Sequence, residues 1–420
     1  MPALHPRTVP VRSHVILLHR WRDRHADYAS YLDHDAHTVS YVTTSLGRQS
    51  VPEGAAGVVV VDATDDLREV RAAVASLVER FGSPDALVAL NEGDLDTAAA
   101  VRDELGCPGQ GSEELARFRD KLAMVAAVRR AGIPVPPFAD APGRAAVVGF
   151  ARHQGWPVVV KPRRGTASRG VRILLSEADA ADLPELFDEQ CLVQSFVPHP
   201  IVHIDGVWDG KALGPWRASR YLRTCREFTE GDWLGSVEID DSALLSALET
   251  FTAAVAAALD DRPWVFHLEA FLSTPADGPP AVTFLEAGAR VGGAEIPFVW
   301  REVHGIDLMR TAFDIQLGRR PSPAPAPVFA ETGGWLLIPL PVEPPCRVEE
   351  ATAVPALADG LYAQVVPEPG AVMPKIGGYE HVGARFRFRG SSSQDVEGAV
   401  EKTAAAFRLR CTPVAAPAPQ

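Results

Sequence analysis

Two short apolar segments decide the fold: VFHLEAFL at 265–272 and AVTFLE at 281–286, the second continuing as AGARVGG to position 293. Each contains one acid, Glu269 or Glu286, and the turn-rich segment STPADGPP at 273–280 separates them. The pattern predicts a hairpin that places both carboxylates side by side. Adjacent carboxylates repel unless a cation lies between them, and their hard oxygens suit Mg²⁺. With Arg290 adding a fixed positive charge, the segments suggest a Mg²⁺-nucleotide site that activates a carboxylate.

Composition excludes several classes of function. The 420 residues include 41 Lys and Arg against 54 Asp and Glu, a net charge of −13. This acidic balance argues against a nucleic-acid-binding or membrane-surface protein. The five cysteines are scattered without CxxC spacing, so we expect neither a zinc site nor disulfides, and we predict a cytoplasmic location. No apolar run of about 18 residues is apparent, so we expect no membrane span.

The N-terminal part, 1–113, predicts a small parallel α/β domain. Apolar strands at 15–18, 58–61 and 86–90 alternate with a segment of helical spacing at 66–81. In such sheets ligands lie beyond the carboxyl ends of the strands, which is where Glu92 falls. A solvated loop acid is the more common explanation of such a residue.

The next part, 114–198, contains two lysines of interest. A single helix is predicted over 112–131 and includes Lys121, which by itself would be an ordinary solvated charge. A strand at 156–162 contains Lys161 near its end, and a loop rich in Gly, Ser and Arg follows it. Such a loop can offer backbone N–H groups and hydroxyls to phosphate oxygens, although Gly-Ser turns are common. Neither a P-loop nor a GxGxxG fingerprint is present.

The remaining parts are predicted as a central unit at 199–328, a smaller α+β unit at 329–411 and a disordered tail at 412–420. Helices are expected at 241–259 and 302–317 in the central unit, and strands over 333–388 with a helix at 394–407 in the last one.

Taken in order, these motifs resemble the ATP-grasp superfamily of carboxylate–amine ligases. The most similar branch is the one related to biotin carboxylase, which includes the L-amino-acid ligases that make dipeptides. The resemblance covers nearly the whole chain and implies a mixed α/β and α+β multidomain fold. Its expected parts are an N-terminal parallel α/β domain, a lid, a central antiparallel sheet and a small C-terminal α+β unit.

The resemblance also implies roles for individual residues. The phosphates of ATP are held by Lys121 and Lys161, and Mg²⁺, or Mn²⁺ as the alternative ion, is held by Glu269 and Glu286. Arg290 steadies the transferred phosphate and, with Lys161, forms the expected catalytic set. The lid loop and the adenine-reading hinge supply the other expected contacts: Gly165, Thr166, Ser168 and Gly170, and then Gln194, Ser195, Phe196 and Val197.

Three positions depart from the family pattern. Gln194 stands where the hinge usually begins with Glu, and Ile201 falls near the position of a ribose-binding Glu. Gly288 stands where a third metal ligand, Asn, is often found, so the number of Mg²⁺ ions is left open.

We therefore expect an ATP-dependent ligase that joins an amino acid or another carboxylate to an amine through an acyl phosphate. The resemblance also implies small-molecule substrates and a homodimer. One alternative is a biotin-carboxylase-like enzyme using bicarbonate or formate, and another is a non-catalytic nucleotide-binding protein. The set Lys121, Lys161, Glu269, Glu286 and Arg290 argues against the second alternative. For His267 we favour a satisfied core or supporting residue over a catalyst.

Overall fold

The structure is a computed structural model that describes residues 13–21, 25–166, 168–321, 330–352, 359–375 and 382–414. Within these ranges the strands form four sheets. Together they match the predicted mixed α/β and α+β architecture.

The first sheet is parallel, as the sequence predicts, with the order β3-β2-β1-β4. Its strands alternate with helices, and side chains on both faces of β1 are fully buried, which is typical of a covered parallel sheet. The elements are β1 (His14–His19), α1 (Tyr28–Tyr31), β2 (Thr38–Thr43), β3 (Gly57–Val60), α2 (Leu67–Phe81), β4 (Ala86–Ala89) and α3 (Leu95–Leu105). Glu92 follows β4 at the carboxyl edge of the sheet.

The single helix predicted over 112–131 is wrong: two helices occur, α4 (Ser112–Arg119) and α5 (Lys121–Arg130). Asp120 has an extended backbone, and its side chain accepts hydrogen bonds from the N–H groups of Leu122 and Ala123. This N-cap starts a new helix because it satisfies donors that would otherwise bond to the preceding turn. Lys121 therefore lies at the first position of α5.

A separate antiparallel sheet forms the lid, in the order β5-β8-β6-β7. One helix covers it and shares with it a hydrophobic cluster made only of lid residues. The elements are β5 (Phe138–Ala141), α6 (Arg144–Gln154), β6 (Val158–Pro162), β7 (Arg172–Leu174) and β8 (Cys191–Ser195).

The largest sheet has eight strands in the order β13-β12-β9-β10-β11-β14-β18-β16. Because β14 pairs with β11, the parts of the chain on either side of position 328 share this sheet. Its strands are β9 (Ile201–Trp208), β10 (Leu213–Tyr221), β11 (Leu234–Glu238), β12 (Trp264–Ser273), β13 (Ala281–Gly288), β14 (Thr332–Pro339), β16 (Leu361–Val365) and β18 (Val382–Gly390).

Four helices connect or cover these strands: α7 (Cys225–Thr229), α8 (Ser242–Leu259), α9 (Ile296–Val303) and α10 (Leu308–Gln316). The helix predicted over 302–317 is thus split. The chain turns at Gly305, where φ is 70°, and Asp307 caps the new helix by accepting from the N–H of Arg310.

Within the described ranges, α8 is the one helix long and apolar enough to cross a membrane by length and composition. Its composition departs from our expectation that such a run is absent. Leu248, Phe251, Val255 and Leu259 on this helix are buried in the main hydrophobic cluster, so α8 is a core helix.

The last unit adds α11 (Ser393–Ala406) and a three-stranded sheet of β15 (Cys346–Ala351), β17 (Val372–Met373) and β19 (Leu409–Pro413). Strand β19 includes residues 412 and 413 of the segment predicted as a disordered tail. Residues 415–420 of that segment lie outside the described ranges.

Candidate active site

The two acids of the opening segments face each other. Strands β12 and β13 pair antiparallel, and Glu269 lies directly opposite Glu286 in the register. A register shift after Glu269 bends the strand at this point, as bulges beside functional sites commonly do. Burial would raise the pKa of the Glu286 carboxyl, but Lys121, Lys161 and Arg290 outweigh it and the pKa is lowered.

Glu269 is oriented by one residue of its own strand and one residue of β10, the second strand away in the sheet. The hydroxyl of Tyr221 donates to its Oε1 over 2.8 Å, and His267 Nε2 lies 3.8 Å from the same oxygen. Asp205 is positioned between two imidazoles, with its oxygens 2.6 Å from His203 Nδ1 and 2.9 Å from His267 Nδ1. Although burial alone would lower it, Asp205 raises the pKa of His267 to about 9. His267 is therefore a buried, hydrogen-bonded support of Glu269.

Two lysines approach the acids from the lid side. Lys121 Nζ donates to the Gly165 carbonyl over 2.9 Å and lies 3.4 Å from Glu286 Oε2. Lys161, on β6, is only 5% exposed. Burial lowers the pKa of its ammonium to about 8, against the opposing effect of Glu286. Both lysines thus lie where they can offset negative charge beside the acids.

The loop between β6 and β7 lies against the N-terminal domain. Arg163 Nε donates to Asp120 over 2.9 Å, and Arg164 Nη1 donates to Asp96 over 2.8 Å. The turn needs positive φ at Gly165 (152°) and Gly170 (72°), and Ser168 also adopts a φ of 56°. Position 167 lies outside the described residues. The loop therefore covers the cleft, where the cavity lined by Lys121, Gly165 and Glu286 measures only about 20 Å³.

The hinge segment 194–197 begins within β8 and continues past its end. The N–H of Ser195 bonds to the Pro137 carbonyl, and that of Phe196 bonds to the Pro157 carbonyl. Gln194 is buried at 3% exposure, and its Nε2 has no hydrogen-bond partner among the described residues. Val197 is the next residue along the chain after these two, whose N–H groups already have carbonyl acceptors.

An ion-pair bridge that the sequence did not predict holds Arg290. Glu92 accepts from Arg290 Nε over 2.8 Å and from Arg119 Nη1 over 2.6 Å. Burial would raise the pKa of the Glu92 carboxyl, but Arg290 and Arg119 outweigh this effect and lower it. The one available signal was the position of Glu92 at the carboxyl edge of a parallel sheet, which we treated as a common loop feature.

The arginine-rich segment 217–226 contributes a tyrosine and a cysteine to the surroundings of the acid pair. Its arginines pair with acids: Arg217 with Glu238, Arg220 with Glu397, Arg223 with Glu227 and Asp232, and Arg226 with Glu230. Within the same segment, the hydroxyl of Tyr221 donates to Glu269. The Cys225 thiol lies within the influence of the charges of Glu269 and Glu286. Burial, followed by the charge of Glu269, raises the pKa of the Cys225 thiol to about 12.

Known proteins share this arrangement of domains. The L-arginine-specific L-amino acid ligase of Bacillus subtilis is 23% identical over 332 residues, which cover 74% of this chain and 75% of that protein. The solved L-amino acid ligase from Bacillus licheniformis superposes with a TM-score of 0.73 at 16% identity, covering 95% of this chain and 98% of that chain. This chain has the fold of the L-amino acid ligases.

A second solved structure, from a different class of enzyme, has the same fold. The biotin carboxylase domain of the Hydrogenobacter thermophilus 2-oxoglutarate carboxylase has a TM-score of 0.66 at 13% identity, covering 95% of this chain and 91% of that one. It was solved as a dimer with MgADP, ADP and bicarbonate. No protein-family model matches the present chain. The ATP-grasp resemblance predicted from the motifs is confirmed in the fold, and the comparisons do not identify the substrates of this chain.

Proposed function

We propose that this chain is an ATP-dependent ligase that activates a carboxylate, in the first place that of an amino acid, and joins it to an amine. One observation carries the proposal: Glu269 and Glu286 face each other in a cleft that also receives Lys121, Lys161 and Arg290. The similarity to L-amino acid ligases over most of the chain supports the choice of amino acids as substrates.

The donor set fits a magnesium–nucleotide complex. Glu269 and Glu286 lie opposite each other on paired strands, and a carboxylate pair of this kind is suited to a hard cation such as Mg²⁺ or Mn²⁺. When bound, the metal would supply charge neutralisation of the phosphate oxygens. Lys121 and Lys161 lie beside these acids and would hold the phosphates of ATP.

The lid and hinge residues would hold the rest of the nucleotide. The loop with Gly165, Thr166, Ser168 and Gly170 would cover the phosphates, after moving away from Lys121 to admit them. The hinge residues Gln194, Ser195, Phe196 and Val197 would border the adenine. Because the N–H groups of Ser195 and Phe196 are already bonded, Val197 is the residue we assign to donate to the base.

Chemistry then proceeds in two displacements. The substrate carboxylate attacks the γ-phosphorus of ATP, which forms an acyl phosphate and releases ADP. The amine attacks the acyl carbon, loses a proton, and expels inorganic phosphate to leave the amide. Arg290, fixed by Glu92, would neutralise the phosphoryl group in both steps. A covering lid is useful here because water would hydrolyse the acyl phosphate.

The decisive experiment is a screen of amino-acid pairs for ADP and phosphate release in the presence of Mg²⁺. We expect release that requires two amino acids and yields an amide detectable by mass spectrometry. Glu286→Gln should abolish this turnover while leaving the fold intact, whereas Glu401→Gln, an exposed acid on α11, should have no effect. Strong ADP release with bicarbonate alone would instead support a carboxylase, and normal turnover of Glu286→Gln would refute the metal assignment.

The quaternary structure is a second part of the proposal. Among solved relatives, the Hydrogenobacter thermophilus biotin carboxylase domain is described as a dimer. We propose a homodimer for this chain, and light scattering of the purified protein should give twice the 45.1 kDa chain mass.

A further inference from the structure

We infer that a second cavity, separate from the acid pair, binds a small polyanion. It lies where the N-terminal domain meets the central sheet, between α3, the segment before α4, the start of β12 and the end of α10. Its volume is about 270 Å³, far larger than the space left in the covered cleft. This inference goes beyond the proposed function, since binding at this cavity requires no turnover.

The lining is strongly cationic. Its charged residues are Arg102, Arg262, Arg319 and Arg320, and no Asp or Glu is among the described residues that line it. Two of these arginines already have acidic neighbours outside the cavity. Arg262 Nη2 lies 2.9 Å from Asp260, and Arg319 Nη1 lies 2.7 Å from Asp314. Arg262 Nη1 also lies 2.9 Å from Glu114, so the charge of these two arginines is already offset, and a ligand would depend mainly on Arg102 and Arg320.

Arg102 is the residue whose environment most needs an anion. It is 3% exposed, and its guanidinium donates only to neutral acceptors: the Leu87 carbonyl at 2.8 Å, the Gln110 carbonyl at 3.2 Å and Gln316 Oε1 at 2.6 Å. Within the part of the chain that the structure describes, no carboxylate lies at ion-pair distance from it. Buried charges are normally paired, and burial here lowers the pKa of Arg102 to about 10.

Trp264 forms part of the cavity wall and is fixed in place. It is 3% exposed, and its ring is held by Phe118 and Phe266, with centroids 4.7 and 5.6 Å away. The start of β12 therefore gives the cavity a rigid side.

Size and chemistry together define the ligand class. The volume falls just below the usual range of ligand pockets, roughly 300–1,000 Å³, so the occupant is smaller than a nucleoside triphosphate. Guanidinium groups bind carboxylate and phosphate oxygens in bidentate fashion. The site therefore fits a compact molecule with two or three anionic groups, either phosphates or carboxylates.

The cavity is also connected to the residues that hold the active site. The Gln316 side chain bonds to both the N–H and the carbonyl of Ala89 at the end of β4. Glu92, which holds Arg290, lies three residues further along, and Ala289 lines the cavity beside Arg290. An anion on Arg102 would therefore lie next to Gln316, which bonds to the end of the strand that precedes Glu92.

Calorimetric titration of the full chain with pyrophosphate and, separately, with citrate tests the inference. The two arms distinguish a phosphate ligand from a carboxylate one, and at least one should bind with submillimolar affinity. Arg319→Ala/Arg320→Ala should weaken that binding at least tenfold. Arg48→Ala/Arg130→Ala, a matched loss of two exposed charges, should leave it unchanged.

Pyrophosphate also resembles the phosphates of ATP, so Lys161→Ala is titrated as well. Binding that is lost in Lys161→Ala but kept in Arg319→Ala/Arg320→Ala would assign the anion to the nucleotide cleft and overturn the inference. Equal weakening in the two double variants would reduce it to general charge attraction. Absence of binding by both anions at 10 mM, at least about ten times weaker than the submillimolar affinity expected, would also overturn it.

Discussion

Nucleotide binding should be coupled to proton uptake by Lys161. In the empty cleft the pKa of this lysine is about 8, because burial opposes its charge. Phosphate oxygens beside the ammonium would favour the charged form and raise the pKa again. At pH 8.5 about 0.76 of the Lys161 side chains are neutral before binding, against about 0.09 at pH 7.0. Binding should therefore take up about 0.7 protons per site at pH 8.5 and fewer than about 0.1 at pH 7.0.

The uptake can be measured by calorimetry with the β,γ-imido analogue of ATP and Mg²⁺. Titrations at each pH in two buffers of different ionisation enthalpy give the number of protons bound. Lys161→Arg is the informative variant, because a guanidinium stays charged across this range. The difference between wild type and Lys161→Arg isolates this residue from other groups that titrate nearby, and Lys402→Ala on the exposed face of α11 serves as the control.

An uptake below about 0.2 protons at pH 8.5, or an equal uptake in Lys161→Arg, would refute the reasoning.

The same pKa shift determines how the stability of the empty protein changes with pH. The folded-state pKa lies below the ordinary value of 10.5, so the unfolded chain binds more protons between pH 8 and 10.5. This lysine should therefore make the empty protein more stable as pH rises through that window.

Three further perturbations have defined outcomes. Glu92→Gln should lower kcat for ADP release by about 10–100-fold through misplacement of Arg290, and unchanged kcat would remove Glu92 from the positioning of that residue. Gly288→Asn should lower the Mg²⁺ concentration for half-maximal activity, because the Asn side chain would add a metal ligand near Glu286. The side chain should fit, since a Cβ at this position meets Arg290 at an ordinary 3.5 Å. A raised Mg²⁺ requirement would contradict a metal at Glu286. The stability that His267 contributes should be complete below pH 6.5 and lost as pH rises through 9, so urea unfolding of wild type and His267→Gln should converge over that range.

Local patterns were enough to predict the acid pair. Alternation along 265–272 and 281–286 fixes which side chains share a face, and the turn residues between them leave few alternatives to a hairpin. Lys161 was found for a similar reason, since a basic residue near the end of an apolar strand is conspicuous. The parallel N-terminal sheet followed from alternating strands and helices.

These local patterns do not predict contacts between segments that are distant in the sequence. Glu92 and Arg290 are separated by almost 200 positions, and neither residue type indicates the other. Tyr221 lies in an arginine-rich segment, a composition typical of a solvated surface, and only the pairing of β10 with β9 and of β9 with β12 brings it to Glu269. The breaks at Asp120 and Gly305 were missed because hydrophobic spacing continues across both, while the capping side chains decide the boundary.

The lid has a hydrophobic cluster of its own, formed by residues such as Val147, Val158 and Val193, and no described residue of another unit takes part in it. A unit with a private core can open or exchange its amides without disturbing its neighbours. We therefore expect hydrogen–deuterium exchange to divide the backbone into two classes of protection, with β5 to β8 exchanging through a lower-energy opening than β9 and β12. Nucleotide should slow amide exchange in β5 to β8 far more than in β9 and β12. The two hydrophobic clusters would then differ measurably in their free energy of opening.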